Sequence, residues 1–180
     1  MSKKVFEAKL SEDSIKNLRQ ELIRYKDIEL KNKCQMLVKR LSEIGLEIAK
    51  AKISESPMGA YASVRVETND LKNGSNALLI ATGAIKETEG REPFNILLAI
   101  EFGSGIFYNK NGNPNAGEFG LGPGTFPGQI HALEGDGWYY WNESLQQWKH
   151  TYGIKATMPM YEAGKKILES VNTIALEVFG

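Results

Sequence analysis

The sequence has few of the residues that build redox, metal or acid–base sites. Among 180 residues there is one cysteine, Cys34, and there are two histidines, His131 and His150. A lone cysteine excludes an internal disulfide, and Cys34 lies among apolar residues of a helical pattern, so we interpret it as a small core residue. The histidines are not at the spacing of a zinc site, and no second cysteine could complete one. The sequence therefore predicts neither a metal nor another cofactor.

An excess of charge of one sign is also lacking. Lys plus Arg number 22 and Asp plus Glu number 22, so the formal net charge is zero. Proteins that bind the nucleic-acid backbone usually show a basic excess. We therefore expect no sequence-specific nucleic acid partner, although a neutral total is compatible with a local basic patch.

Long hydrophobic runs are missing as well. No apolar stretch approaches the roughly 20 residues that cross a bilayer. The basic start at Lys3 and Lys4 is not followed by the apolar run of a secretory signal. We therefore expect no membrane partner and synthesis in a reducing cytoplasm.

Helical patterns dominate the first third of the chain. Residues 4–10 alternate and predict a short strand, after which Ser11 and the acids beside it favour a helix start. We place the break before the next helix near Lys26-Asp27. That next helix, of about 25 residues and about 40 Å, is the clearest element and ends at 56–59. We favour its packing on its own domain over a short coiled coil with a partner. Its apolar positions, spaced by four and three, are Leu30, Cys34, Leu37, Leu41, Ile44 and Ile48.

Strand patterns follow in the middle of the chain. They cover residues 62–66, 77–82 and 94–102, with turns at Asn73-Gly74 and Glu89-Gly90. Strands so close in sequence should pair antiparallel. In the last of them Phe94, Ile96, Leu98, Ile100 and Phe102 would share one face.

The last part of the chain combines a loop, an aromatic hairpin and a helix. Residues 103–137, rich in Gly, Asn and Pro, predict a long loop. Its glycine run at 120–128 lacks the Lys-Ser/Thr ending of a phosphate loop. Residues 137–141 predict an aromatic strand, with 147–150 as its hairpin partner, and Pro159 suits the first turn of a closing helix. We expect one α+β domain over residues 1–180, with a four- to five-stranded antiparallel sheet, a long N-terminal helical region and a C-terminal helix.

Two features could belong to a catalytic or a ligand-binding site. Glu101, beside glycines at the predicted end of a strand, has the position of a catalytic carboxylate, but we favour a role in fixing the turn or contacting a neighbouring subunit. Residues Gly137 to Tyr140 resemble one unit of the choline-binding and cell-wall-binding repeats, whose aromatic cages hold quaternary ammonium groups. Those proteins carry tandem copies, and here there is one. An aromatic hairpin that packs on the sheet or on a neighbouring subunit is the favoured interpretation, with a small hydrolase as a third hypothesis.

The order of two short segments resembles a family. Ile100-Glu101-Phe102-Gly103-Ser104-Gly105 precedes the variable loop, and Thr157-Met158-Pro159-Met160-Tyr161-Glu162-Ala163 opens the final helix. Over roughly residues 30–178 the chain resembles the minor tail or tail-completion proteins of tailed phages, grouped around the gene-product-ten neck component of a lambdoid phage. Ser104 stands where the family usually has threonine, and Met160 where it often has phenylalanine.

The resemblance implies a small α+β virion subunit without catalysis, found in phages and prophages. Such subunits assemble as a ring at the head–tail junction or tail end, after synthesis in the host cytoplasm, and their partners are other head–tail or tail proteins. A head-to-tail ring needs two different patches on each subunit. We expect one patch on the 103–137 loop with the aromatic hairpin, and the other on a face of the helix at 28–52. The candidate interface residues are Glu101, Phe102, Phe107, Phe119, Phe126, Trp138, Tyr140, Pro159 and Met160.

Overall fold

A computed structural model describes residues 5–7, 9, 11–71, 74–87, 93–110, 112–120 and 133–180. The elements are α+β, as the sequence predicts. The helices in these ranges are α1 (Glu12–Arg24), a π-helical segment (Tyr25–Leu30), α2 (Lys31–Glu55), α3 (Ile96–Phe102), α4 (Pro159–Phe179) and short 3-10 turns at Gly59–Tyr61 and Ala116–Phe119. The strands are β1 (Ala62–Leu71), β2 (Gly74–Gly83), β3 (Ile85–Lys86), β4 (Phe94–Asn95), β5 (Trp138–Asn142) and β6 (Gln147–Thr151).

The N-terminal helical region is continuous from Glu12 to Glu55. Ser11 caps it as predicted, because its hydroxyl accepts a hydrogen bond from the Ser14 N–H (3.4 Å). The predicted break near Lys26-Asp27 is wrong. A π-helical turn carries the helix through this region, since a π turn accommodates an extra residue without ending the helix. The predicted strand at 4–10 is not formed by its described residues 5–7 and 9, and its other members lie outside the described residues.

Helices α2 and α4 pack antiparallel and form the centre of the fold. Arg40 of α2 pairs with Glu177 near the end of α4. Gly45, which is later in α2, faces the side chain of Ile167, which is earlier in α4. The prediction that this helix packs on its own domain is confirmed. The buried residues along the two helices are Ser42, Gly45, Ala49 and Ile53 of α2, and Pro159, Ala163, Ile174 and Val178 of α4.

The β1–β2 hairpin packs along α2: Leu79 lies near Gly45, and the Gln35 amide donates to Asp70 (2.8 Å). Ala62 pairs with Gly83 and Leu71 pairs with Gly74, so residues 72 and 73, which lie outside the described residues, connect the strands. The first two predicted strands are confirmed, but the four- to five-stranded sheet is not. The described residues form three separate two-stranded antiparallel pairs, β1–β2, β3–β4 and β5–β6. The third expected strand is missing because its residues form a helix.

The stretch predicted as a strand at 94–102 is strand only at Phe94–Asn95 and then becomes α3. The Asn95 side chain accepts a hydrogen bond from the Leu97 N–H (2.9 Å), which caps the helix. Ile96, Ala99 and Ile100 are buried at helical spacing. A short run of apolar residues fits both periods, and here tertiary burial selects the helical one. The turn predicted at Glu89-Gly90 lies outside the described residues.

The aromatic hairpin and the closing helix are confirmed. Strands β5 and β6 pair from Trp138 with Thr151 to Asn142 with Gln147. Helix α4 starts with Pro159 fully buried in its first turn. Within the predicted loop at 103–137 the structure describes 103–110, 112–120 and 133–137, which include the 3-10 turn at Ala116–Phe119.

Neighbouring positions of α4 test the packing against α2. Ala163 has no exposed surface, whereas a Cβ added at Gly164 would meet no atom within 4 Å. We expect Ala163→Leu to lower the free energy of unfolding by about 1–3 kcal/mol through overpacking. Gly164→Ala should raise it by about 0.5–1 kcal/mol, because alanine favours the helix. Urea unfolding measures both, and equal tolerance of the two substitutions would contradict this packing.

Candidate functional site

A buried carboxylate joins the two segments that carry the family resemblance. Glu101, near the end of α3, is 8% exposed. Its Oε2 accepts the Met160 N–H (2.9 Å), and its Oε1 accepts the Tyr161 N–H (3.0 Å). These are among the first N–H groups of α4, which no residue of the helix can satisfy. Met158 provides no side-chain cap, so Glu101 caps α4 from about sixty residues away along the chain.

Asparagine side chains extend this bond network into the loop after α3. The Asn113 amide donates to Glu101 Oε1 (2.9 Å). The Asn109 amide donates to the carbonyls of Gly105 (2.9 Å) and Ile154 (2.8 Å), and its Oδ1 accepts the Ala156 N–H (2.8 Å). Both asparagines are buried and hydrogen-bonded, which lets a polar loop lie inside the fold.

A backbone pair completes the connection. Ser104 and Ile154 exchange N–H···O bonds of 2.8 and 2.9 Å in an isolated antiparallel bridge. Gly153 has φ +89°, and a Cβ there would overlap the Ser104 carbonyl oxygen. Gly103, at φ +76°, ends α3 with the Asn109 side chain against its Cα. Both positions therefore require glycine. We call the set Glu101, Ser104, Asn109 and Asn113 the polar clasp.

The environment of Glu101 shifts the pKa of its carboxyl group and occupies both of its oxygens. Burial raises the pKa of this carboxyl above its ordinary value of 4.5, while the N–H bonds from Met160 and Tyr161 and the Asn113 amide work in the opposite direction. A raised carboxyl pKa also occurs in general acids. Here both oxygens already accept hydrogen bonds, so the carboxylate acts on the fold. This agrees with the favoured sequence interpretation that Glu101 fixes local structure, although it fixes the start of α4 in addition to the turn.

A continuous aromatic surface lies on one side of the β5–β6 hairpin. Tyr139 contacts His150 across the strands (ring centroids 4.9 Å apart), and Trp141 contacts Trp148 (5.7 Å). Residues at alternate positions share a face, so the four rings point the same way. Tyr139 is 67% exposed and Trp148 is 65% exposed.

The loop after α3 extends this surface. His150 contacts Tyr152 (4.8 Å), which in turn contacts Phe107 (4.4 Å), and Phe107 contacts Tyr108 (4.8 Å). Few monomeric proteins leave so many adjacent rings in water, and such patches usually mark binding sites. The aromatic face is made of Phe107, Tyr108, Tyr139, Trp141, Trp148, His150 and Tyr152.

The opposite side of the hairpin is attached to the polar clasp. The Trp138 ring lies against Gly105 and Gly153, where an added Cβ would come within about 3 Å of it. Trp138 and the clasp therefore attach the hairpin beside the start of α4, and the aromatic face lies on the other side of the hairpin.

The candidate interface residues fall into different environments. Glu101, Phe102 and Pro159 are buried within the chain's own fold, which leaves these three without a surface for a partner. Met160 and Trp138 are partly buried. Three others are exposed: Phe107 (45%) on the aromatic face, Tyr140 (41%) on the other side of the hairpin, and Phe119 (64%), whose ring contacts Phe102 (5.5 Å). Phe126 lies outside the described residues.

The candidate interface residues of the hairpin, Trp138 and Tyr140, lie on the side opposite Tyr139, Trp141 and Trp148. Strand alternation could have separated the two sets but could not say which faces the core. Asn109 and Asn113 were also missed, because nothing in a loop sequence marks an asparagine as buried.

The described residues were also considered as a hydrolase site, a metal site and a membrane span. His150 is exposed on the aromatic face and Glu101 is buried, so these two candidates of the hydrolase hypothesis do not converge, and His131 lies outside the described residues. No group of three or more His, Cys, Asp or Glu side chains in the described ranges is arranged to hold a metal ion. No helix in those ranges is long and apolar enough to cross a membrane.

Removal of the buried carboxylate tests the capping role. We expect Glu101→Ala to lower the free energy of unfolding by about 2–4 kcal/mol, because it leaves two backbone N–H groups and the Asn113 amide without their acceptor. Glu169→Ala in the exposed turns of α4 is the matched control and should change stability by about 0.5 kcal/mol or less. Chemical denaturation of both variants checks this, and equal effects would refute it.

The raised pKa predicts a pH dependence of definite sign. Between 4.5 and the raised value the folded state binds more protons at Glu101 than the unfolded state, so stability should fall as pH rises through this range. We expect the unfolding free energy of the native chain relative to Glu101→Gln, which does not titrate there, to decline from pH 4.5 upward. Urea titrations of both proteins at several pH values measure the difference, and a constant or rising difference would contradict the expected pKa.

Comparison with known proteins identifies no relative. No protein-family model matches the chain, and neither a curated protein nor a solved structure matches it. Function is therefore argued from the residues, from the resemblance of their order, and from the geometry of the polar clasp and the aromatic face.

Proposed function

We propose that this chain is a non-enzymatic structural protein of a phage or prophage virion. In this proposal it acts in head–tail joining or tail completion, assembles as a ring, and contacts other head–tail or tail proteins. It is made in the host cytoplasm and functions at the head–tail junction or in the tail.

The observation that carries the proposal is the aromatic face. Tyr139 and Trp148 are about two-thirds exposed, and the hairpin that carries them is attached to the fold through Trp138 and the polar clasp. Tyrosine and tryptophan are among the side chains that dominate the centres of protein interfaces. A subunit whose task is to bind its neighbours needs such a surface.

The polar clasp gives a physical reason for the presence of both family-like segments in one chain. Glu101 and the N–H groups of Met160 and Tyr161 belong to the two segments that resemble the tail-completion family, and they meet in three dimensions. A carboxylate in one segment that caps the helix start in the other gives a physical reason for their occurring together. This role favours architecture over catalysis for Glu101, whose pKa is raised by burial.

Genetics and electron microscopy test the proposal. We expect particles made without this gene product to be full heads without attached tails, or to carry tails of the wrong length, and expression of the chain in trans to restore infectivity. Portal, capsid and tail-tube genes should lie beside its gene. Normal infectious particles in the absence of the chain, or a locus without virion genes, would refute the proposal.

A second candidate function rests on the same aromatic face. A single-copy cell-wall or choline-type module would bind quaternary ammonium or sugar groups against the Trp141 and Trp148 rings. These two rings meet edge to face, at 69° between their planes. Titration of the chain with choline or a cell-wall glycan, followed by tryptophan fluorescence, distinguishes the candidates: saturable quenching that Trp148→Ala abolishes would favour the module over the virion subunit.

A further inference from the structure

Helix α1 carries an apolar groove that the described residues leave open. No residue of α1 is buried. Ile15 (54%), Leu22 (44%) and Ile23 (48%) are exposed, and with Leu18 they line a groove of about 310 Å³ flanked by Arg19 and Lys26. We call this set the arm groove. A 13-residue helix is marginally stable by itself in water, so covering this apolar surface would stabilise it.

The arm groove lies beyond one end of the α2–α4 pair. Near that end Lys33 of α2 lies 5.9 Å from the ring of Phe179, close to the last residue of α4. Toward its N-terminus the helix continues from there through the π segment into α1. These two segments together extend about 25 Å further. Its N-terminal half is therefore an arm that projects from the body.

The aromatic face lies at the other end of the same helix pair. The hairpin is clasped to the start of α4, and Lys52, Glu55 and Pro57 at the end of α2 line a common groove with residues 155–158. The length of α2, about 37 Å, separates this end from the arm. One subunit therefore cannot place its own arm groove on its own aromatic face, whereas a second copy can.

The two surfaces complement each other chemically. The groove offers aliphatic side chains for the ring edges, and its rims carry the cations of Arg19 and Lys26. The face offers the π surfaces of Trp141 and Trp148, which attract such cations. Two arms facing each other would gain no such pairing.

We propose that the arm groove of one copy binds the aromatic face of the next copy. The contact is heterologous, so each subunit uses one surface and leaves the other for a further neighbour, and repetition gives a ring or an open chain. This inference deepens the proposed function, on which its biological meaning rests, because it names the two patches from which the ring is built. The patches differ from the sequence expectation in one respect: the helical patch lies on α1, whereas α2 is occupied by its own domain.

Complementation between two variants tests the proposal. We use Leu22→Glu to block the groove and Trp148→Ala to remove part of the face; both side chains are exposed, and circular dichroism verifies folding. Sedimentation velocity should show concentration-dependent association of the native chain and monomers for each variant alone. An equimolar mixture should form a one-to-one heterodimer and nothing larger, because one intact groove and one intact face remain in it. Leu168→Glu, on an exposed site of α4 outside both surfaces (76%), is the control and should associate like the native chain.

Several outcomes would overturn the head-to-tail contact. These are a native chain that stays monomeric up to its solubility limit, a mixture that contains only monomers, or a Trp148→Ala variant that still self-associates, which would indicate contacts between arms. In a mixture of Leu22→Cys and Trp148→Cys chains, both in a Cys34→Ser background, the disulfide should join two different chains in preference to two like chains. These results are independent of the particle phenotype. If the contact fails while particles made without the gene product lack tails, this inference is rejected and the proposed function stands.

Discussion

The structure depends on one buried carboxylate that satisfies the start of a distant helix. Pro159 has no N–H and Met158 has no capping side chain, so α4 begins without local partners for its first donors. Glu101 supplies them from α3, and its negative charge is favourable at the positive end of the helix dipole. Desolvation of the carboxyl opposes this arrangement and raises its pKa. The loop asparagines and the Ser104–Ile154 bridge are arranged around the same point.

Around this capped helix start the molecule consists of a packed body and two exposed surfaces, the aromatic face and the arm groove. The antiparallel α2–α4 pair buries small residues such as Gly45, Ala49 and Ala163, which allow the helices to approach closely. The clasp then fixes the aromatic hairpin at one end of the pair, and the continuous helix carries the arm beyond the other. A packed body with unlike apolar surfaces at opposite ends is suited to repeated assembly, which is the function we propose for it.

The helices and hairpins were largely predictable from local pattern. Ser11, the four-and-three spacing after Leu30, and Pro159 each indicated an element that the structure contains. Other predictions failed, among them the break near Lys26-Asp27 and the four- to five-stranded sheet. The stretch at 94–102 fits both the strand and the helix period, and only the cap from Asn95 and burial of Ile96 and Ile100 decide for the helix. The two aromatic sets of β5 are equivalent by pattern, so the sequence did not indicate that Trp138 packs against Gly105 and Gly153.

By itself the sequence determined the order of the elements, the amphipathic character of the helices, and the presence of an aromatic hairpin, because these follow from side chains close together along the chain. Only the tertiary structure decided what Glu101 does, which side of the hairpin packs on the polar clasp, and that the described residues cover α2 more fully than α1. Each of these depends on residues that are distant in sequence, such as Glu101 and Met160, and the free energy of burial and of hydrogen bonding between them has no local signature.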